Sequence, residues 1–262
     1  MALGAAQQTI TTGANFIPEL WGPPVIVATE NNLVMSKLVW DWSDPAKGKG
    51  DIIHVPGVSN LTTNVKAANT QVVLNAPTEG VTNLTIGTHN ECSFLIEDLL
   101  KVQSAFNLMQ YYTDKTGYAV GATRDTDLLA LVSGFSQVLG SAGADLGDAD
   151  IRNSRELLRL ANVPMSDPIN LVIHPTQETA LFTIEKYFRS DFRGDGASKI
   201  LVNGKIGKIY DIDVYVSTNV GTSAGAYLNT MFSKQAIAKA DQLTPRTQGD
   251  YILEYLGNLV VT

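Results

Sequence analysis

One stretch of the sequence has the pattern of a nucleophilic enzyme. Residues 221–225 read GTSAG, which matches the G-x-S-x-G motif of hydrolases with Ser223 as the nucleophile. That motif requires a strand before the serine, a helix after it and a histidine further along the chain. The segment AYLNTMF that follows is typical of a strand, and the last histidine is His174. The pattern therefore favours a flexible turn, and an α/β hydrolase that uses Ser223 is the alternative from a different functional class.

The other side chains that could do chemistry are histidines, a cysteine and a group of aspartates. The histidines, His54, His89 and His174, fall on predicted strands or strand ends without the HExxH spacing of a zinc site. The single cysteine, Cys92, excludes an intrachain disulfide and a cysteine-rich zinc site. A glycine-rich loop carries Asp145, Asp148 and Asp150. These aspartates lack the spacing and final glutamate of a calcium loop, so we expect a solvated loop, no metal, no cofactor and no enzyme activity.

The composition fits a folded protein without strong affinity for polyanions. The chain has 262 residues, of which 44% are hydrophobic and 17% are charged, so it can bury a substantial core. Its 19 basic and 26 acidic residues give a net charge of −7, which argues against nonspecific nucleic-acid binding through net charge. The sequence predicts neither a signal peptide nor a membrane span, because it contains no apolar stretch of about 18 residues.

The longest amphipathic pattern runs through residues 93–133. Apolar side chains recur at helical spacing, at Leu95, Leu99, Val102, Phe106, Met109, Val120, Leu128 and Leu131. Ser93 is a suitable N-cap, and no proline interrupts the next ~40 residues, which predicts one rod of about 60 Å that would bend at Gly117 or Gly121. Two consecutive helices in an ordinary α+β enzyme are the alternative.

The segments before this helix have little capacity to form a core. Residues 1–22 predict an extended arm, and residues 25–38 predict a short amphipathic helix after two prolines. Strands are predicted at 51–58, 72–74 and 81–88, with polar, turn-rich sequence between the first two. A hairpin this long without its own core has poor independent stability, so we expect it to lie on another surface.

The segments after the helix predict a mixed α/β unit. A helix within DIRNSRELLRLANV is stopped by Pro164, INLVI is a buried strand, and another helix starts near Pro175. IGKIYDIDVYVSTNV and AYLNTMFSKQAIAKA predict further strands and a short helix. The final QGDYILEYLGNLVVT predicts a strand whose partner lies near the long helix.

Four phrases in this order resemble the major capsid proteins of tailed double-stranded DNA bacteriophages. They are KGKGDIIHVPGV, THNECSFLIEDLLKVQSAFNLMQYY, NLVIHPTQETAL and GKIYDIDVYVSTNV. The resemblance extends over nearly the whole chain and depends on the order of the phrases. It implies an α+β, HK97-like capsid fold.

The resemblance also implies a division of the chain into named parts. These are an N-terminal arm with a short helix (1–45), an E-loop (46–92), a P-domain spine helix with its following loop (93–145), an A-domain with a mixed sheet and flanking helices (146–240), and a returning P-domain strand (241–262). Relatives usually carry further residues of the closing P-domain strands. We therefore expect either a truncated sequence or a neighbouring subunit that completes the sheet.

The function implied by the resemblance is structural. It predicts pentamers and hexamers that self-assemble into an icosahedral shell around double-stranded DNA, without sequence-specific binding or a membrane, in the host cytoplasm. Portal, scaffolding and cement proteins are its further expected partners. A bacterial encapsulin shell that holds a cargo enzyme is the alternative within the same fold. Charged side chains near the hairpin and a later loop would then pair between subunits, namely Lys47, Lys49, Lys66, Lys186, Arg189, Arg193 and Lys199.

Overall fold

The computed structural model describes residues 33–47, 50–104, 108–141, 143–164, 166–188, 207–223 and 225–262. The predicted arm at 1–22 and the first part of the predicted helix at 25–38 lie outside these ranges. The helices within them are α1 (Met35–Leu38), α2 (Ser43–Ala46), α3 (Asp98–Gln103), α4 (Leu108–Ala130), α5 (Asp148–Leu160), α6 (Pro175–Leu181) and α7 (Glu185–Phe188).

The strands within the described ranges form five small sheets. They are β1 (Trp40–Asp41), β2 (Ile52–Val58), β3 (Glu79–Thr85), β4 (Ser93–Glu97), β5 (Ile169–Ile173), β6 (Lys208–Ile209), β7 (Ile212–Val216), β8 (Thr222–Ser223), β9 (Ala226–Tyr227), β10 (Thr230–Ser233), β11 (Ala238–Lys239), β12 (Gln248–Ile252) and β13 (Gly257–Val261). No helix in the described part of the chain has the length and hydropathy needed to cross a bilayer.

The largest sheet has the order β10, β5, β7, β6, with β5 and β7 parallel and the other pairs antiparallel. All five residues of β5 are buried, as expected of an apolar strand covered on both faces. Val172 belongs to a core with α1 and the end of α4, whereas Leu171 and Ile173 belong to a second core with α5 and α6. The sheet therefore lies between two helical layers.

The predicted helix start at Ser93 is wrong, because residues 93–97 form strand β4. Phe94 and Ile96 are more buried than the alternate residues of β4, and this strand pairs antiparallel with β13. The uninterrupted rod is also wrong, since α3 ends at Gln103 and the backbone of the next residue, Ser104, is extended. The apolar spacing of this region fits a helix and a strand equally well, and the distant partner β13 decides for the strand.

Helix α4 runs without a break through both glycines that were expected to bend it. A Cβ on Gly121 would lie 3.0 Å from Cδ1 of Leu33, so glycine here permits close approach of the segment that enters α1. The helix passes into a short 3₁₀ turn at residues 131–134. Within the described part of the predicted 25–38 helix, only Met35–Leu38 is helical.

The protruding hairpin is present, but one of its three predicted strands is wrong. β2 and β3 confirm the predictions at 51–58 and 81–88, whereas residues 72–74 are not in a strand. The side chains of Val72, Val73 and Leu74 are all exposed, and this segment pairs with no other strand in the described part of the chain. Residues with high β propensity do not form a strand unless another strand supplies the hydrogen bonds.

The end of the chain forms two strands where one was predicted. β12 and β13 pair antiparallel around a turn at residues 253–256, in which Leu256 has a φ of 44°. β13 lies between β12 and β4, so its second partner is at the start of the amphipathic stretch, as expected.

Replacing Gly257 by alanine should destabilise this sheet. A Cβ at this position would lie 2.7 Å from the backbone oxygen of Ile96 and 3.3 Å from Cα of Glu97, so the two strands would have to separate. We expect the free energy of unfolding to fall by about 1–3 kcal/mol, measured by chemical denaturation. Gly249→Ala is the matched control, because its nearest neighbour, the oxygen of Leu259, is 3.6 Å away. Equal losses in both variants would contradict the packing of β13 against β4.

Candidate assembly surfaces

The hairpin of β2 and β3 exposes apolar side chains that nothing in the described chain covers. Its strands pair in continuous register from Ile52 opposite Thr85 to Val58 opposite Glu79. The relative exposure is 101% for Val65 and 87% for Leu74 in the segment that joins the strands. The other exposed apolar residues of the hairpin are Ile52, Val58, Leu61, Val72, Val73 and Val81. A patch of this kind is typical of a surface that another protein covers.

The hairpin is attached to the rest of the chain at a defined root. Gly50 has a φ of 132°, a backbone conformation that favours glycine, and its carbonyl accepts a hydrogen bond of 3.0 Å from Nε2 of Gln242. The N–H of Ile86 donates to the carbonyl of Asp51 at 2.7 Å and closes the base of the hairpin. The projecting strands are therefore fixed to the segment that follows β11.

A second exposed apolar surface lies where α3 meets the turn between β12 and β13. The N–H of Asp98 donates to the carbonyl of Leu256 at 3.0 Å, and the hydroxyl of Tyr251 donates to Oδ2 of Asp98 at 2.7 Å. The exposed apolar side chains around these contacts are Leu99, Leu100, Val102, Leu253, Tyr255 and Leu256. These side chains form a second candidate contact surface for another protein.

A groove of about 440 Å³ lies between α4 and the strands β12 and β13. Met109 and Thr113 line it from the helix, and Gly249, Tyr251 and Leu259 line it from the strands. This mixture of apolar and polar side chains makes the groove a candidate contact surface.

A buried aspartate that the sequence interpretation missed fixes the entry of the chain into the core. Asp125 of α4 is 1% exposed, and its Oδ1 accepts hydrogen bonds from the N–H groups of Val34 at 3.0 Å and Met35 at 2.8 Å. Its Oδ2 accepts one from Nδ2 of Asn219 at 3.0 Å. One carboxylate thus satisfies N–H groups at the start of α1 and joins three separate segments. The sequence did contain a signal for this buried carboxylate, because Asp125 lies three positions before Leu128 and so on the apolar face of the helix.

An ion-pair network holds the segment before the hairpin against the segment after β11. Nζ of Lys239 lies 3.1 Å from Asp41 and 3.8 Å from Asp241, and Arg124 of α4 lies 3.1 Å from Asp241. The hydrogen bond from the Ser43 hydroxyl, assisted by Lys239, lowers the pKa of the Asp41 carboxyl to about 2. The network reinforces the parallel pairing of β1 with β11.

The surroundings of Ser223 differ from those of a hydrolase nucleophile. Ser223 is exposed and ends β8, which pairs with β9 through the bridge of Ser223 with Ala226, and Gly225 in the turn has a φ of 81°. Strands β9 and β10 follow where the motif requires a helix. The predicted turn between strands is therefore present.

Two of the three histidines make contacts that support the fold. The ring of His174 stacks on Tyr227 with centroids 3.8 Å apart, and its Nδ1 accepts the N–H of Thr176 at 3.2 Å as the N-cap of α6. Nδ1 of His54 lies 2.7 Å from Oδ1 of Asn83 across the hairpin. His89 lies between β3 and β4 outside regular structure. Within the described ranges, no three side chains of the metal-binding types cluster.

The interpretation of the aspartate loop as solvated is wrong for Asp148. The hydroxyls of Tyr187 and Tyr210 donate to its Oδ1 at 2.8 and 2.7 Å, and Nε of Arg152 and Nζ of Lys186 donate to its Oδ2 at 3.0 Å each. Burial opposes ionisation of this carboxyl, but the hydrogen bonds from Tyr210, Lys186 and Tyr187 outweigh it and hold the pKa well below its usual range. The carboxylate therefore ties α5 to α7 and the β6–β7 turn.

Two of the side chains expected to pair between subunits have a partner within the chain. Lys186 lies 3.0 Å from Asp148, and Lys47 lies 2.7 Å from Asp44. Lys66 is exposed in the hairpin. Lys49, Arg189, Arg193 and Lys199 lie outside the described residues.

The Asp148 network should make stability depend on pH in acid. The carboxyl has a lower pKa in the folded chain than its ordinary value of about 3.9, so its contribution is complete above that pH and is lost as the pH falls below it. We expect the free energy of unfolding, measured in urea, to decline below about pH 4 less steeply in Asp148→Asn than in wild type. Tyr210→Phe removes one of the four donors to Asp148. Its decline in the free energy of unfolding below pH 4 should be intermediate between those of wild type and Asp148→Asn. An unchanged acid slope in Asp148→Asn would contradict this account.

Comparison with known proteins identifies the family. The family model described as phage capsid protein matches residues 93–249, which is more than half of the chain. A solved structure from Mycobacterium phage Che8 is 25% identical with a TM-score of 0.79, and the alignment covers 94% of this chain and 90% of that one. No curated protein sequence matches.

Two further structures share the fold at lower identity. The capsid structure of the cyanophage P-SCSP1u is 18% identical with a TM-score of 0.75, and the alignment covers 95% of this chain and 88% of that one. The mature capsid of bacteriophage PhiM1 is 12% identical with a TM-score of 0.71, with coverage of 94% and 86%. These likenesses confirm the α+β, HK97-like capsid fold. The chain therefore belongs to the family of phage capsid proteins, whose members are structural proteins of the virion shell.

Proposed function

We propose that this major capsid protein self-assembles into pentamers and hexamers that close into an icosahedral shell around double-stranded DNA. The observation that carries the proposal is the hairpin of β2 and β3, whose apolar side chains are exposed although the rest of the chain has two cores. Burying such side chains against a neighbour contributes about 25 cal/mol per Å² of apolar surface. The hairpin therefore gains its stability in the assembly.

We propose that the chain is divided into the same capsid parts that the family resemblance implies. Residues 1–45 form the arm with its short helix, 46–92 the E-loop, 93–145 the P-domain spine helix with its loop, 146–240 the A-domain, and 241–262 the returning P-domain segment. The four-stranded sheet within the proposed A-domain supports the division. So does the pairing of β13 with β4, which brings the final segment back to the start of the spine region.

The exposed apolar surfaces suggest how neighbouring copies meet. The hairpin of one copy covers a neighbour, and the surface around Leu99 and Leu256 lies against another copy. Both carry apolar side chains that a compact monomer would bury. Because assembly adds these contacts many times in one shell, each can be weak in isolation.

The relation to DNA follows from the charge of the chain. A net charge of −7 gives no general attraction for phosphates. We propose that the shell encloses its genome without sequence-specific binding. Assembly takes place in the cytoplasm of the bacterial host, and portal, scaffolding and cement proteins are the further partners of the proposed shell.

Electron microscopy in negative stain, with sedimentation velocity on the same sample, tests the proposal. We expect closed or partial shells, rings or sheets, and nuclease-resistant DNA in particles formed in the presence of the other virion components. Shells that hold protein cargo instead of DNA would contradict the genome-enclosing role. A compact monomer that stays unassembled under all conditions, scaffolding included, would contradict self-assembly.

A further inference from the structure

The two strands of the projecting hairpin have different outer edges. The N–H of Ile86 donates to the carbonyl of Asp51 at one end of the hairpin, and the N–H of Ser59 donates to the carbonyl of Thr78 at the other. In this register, the N–H and C=O groups of odd-numbered residues in β2 and even-numbered residues in β3 point toward the partner strand. Backbone groups alternate in direction along an antiparallel strand. The N–H groups of even residues in β2 and odd residues in β3 therefore point away from the hairpin.

The outer edge of β2 is interrupted by proline. Pro56 lies opposite Val81 at one of the outward positions, where its missing N–H costs the hairpin no hydrogen bond. A strand that approached this edge would find no donor at position 56 and would meet the proline ring instead. β2 is thus protected against the addition of another strand.

The outer edge of β3 has no such protection. Val81, Asn83 and Thr85 point their N–H groups outward, and no described residue of the chain accepts a hydrogen bond from them. The seven residues from Gly80 to Ile86 contain no proline and no charged side chain. A strand from another copy can therefore approach residues 80–86 without meeting a like charge on this edge.

We propose that in the assembled shell an extended strand of a second copy of this chain adds to the outer edge of β3. This inference rests on the proposed self-assembly and deepens it, because it names the hairpin edge that forms the intermolecular sheet. A second copy is the fitting occupant, since the proposed shell presents many copies of this chain to one another. Strand addition also supplies main-chain hydrogen bonds that do not depend on the neighbour's side chains.

Hydrogen exchange of the wild-type protein, resolved to single amides, tests the proposal without any substitution. We compare the free protein with shells assembled from this chain alone. The amides of Val81, Asn83 and Thr85 should exchange at least about tenfold more slowly in the shells, whereas those of His54 and Val58 should not change. Equal rates in both samples would overturn the strand addition and leave self-assembly intact.

Other outcomes of the exchange experiment identify other occupants. Protection of these amides already in the free protein would mean that the chain covers its own edge, and protection that requires another virion protein would mean that this protein is the partner. Either result overturns the assignment to a second copy. If no shell forms under any condition, the proposed function fails and this inference fails with it.

A pair of proline substitutions provides a matched second test. His54 and Asn83 face each other across the hairpin and share one side-chain hydrogen bond, and both N–H groups point outward. Asn83→Pro and His54→Pro therefore disturb the hairpin equally but block different edges. We expect Asn83→Pro to lower the assembled fraction roughly tenfold and His54→Pro to leave it near that of wild type. Equal effects of the two variants would overturn the choice of β3.

Discussion

Deleting residues 60–70 should abolish closed shells while leaving the four-stranded sheet folded. The deletion removes most of the segment that joins β2 to β3, including exposed Leu61 and Val65, but it removes no residue of either buried core. The variant should therefore unfold cooperatively in urea with a midpoint close to that of wild type, and electron microscopy should show no closed particles. Closed shells of normal size from this variant would contradict the assembly role of the hairpin.

A substitution version separates the loss of apolar surface from the loss of chain length. Changing Val72, Val73 and Leu74 to serine removes apolar contacts on the order of 5 kcal/mol per hairpin if a neighbour buries them. Changing Thr63 and Gln71, exposed uncharged polar residues of the same segment, to serine is the control. We expect the first variant to remain unassembled and the second to form shells.

Replacing Asp125 by alanine should cause the largest loss of monomer stability. The substitution leaves the N–H groups of Val34 and Met35 and the amide of Asn219 without their acceptor in a buried position. Losing a charged acceptor that satisfies several buried donors costs about 3–5 kcal/mol, so we expect the free energy of unfolding in urea to fall by that amount.

Two further variants make the Asp125 prediction specific. Asp127→Ala changes an exposed aspartate two residues later in the same helix and should alter stability by less than about 0.5 kcal/mol. Asp125→Asn keeps an oxygen acceptor for α1 but removes the one facing Asn219, so its loss should be intermediate. If Asp125→Ala were no worse than Asp127→Ala, the buried carboxylate would not hold the three segments together.

The sequence predicted elements best where a local pattern matched the tertiary environment. Strand β5 was predicted as a buried strand from the apolar run INLVI, and the structure buries all of it. Helix α5 ends at Leu160 before the predicted stop at Pro164, because Asn162 adopts a φ of 59° that the helix cannot continue. In both segments, short-range sequence and long-range packing favour the same structure.

The errors arose where a distant segment decided the structure. Residues 93–97 have apolar spacing that suits a helix, yet β13, about 160 residues later, supplies the strand partner. Residues 72–74 have high β propensity but no partner strand in the described chain. Asp125 and Asp148 were missed as anchors because their hydrogen-bond donors are brought to them only by the folded chain. Local periodicity carries no information about such partners.

A cryo-EM reconstruction of the assembled wild-type protein tests the central claim most directly. We predict a closed shell of pentamers and hexamers in which the hairpin of β2 and β3 lies on a neighbouring copy and buries Val72, Val73 and Leu74. A closed shell in which these side chains remain exposed to solvent, with the contacts made elsewhere, would contradict the account.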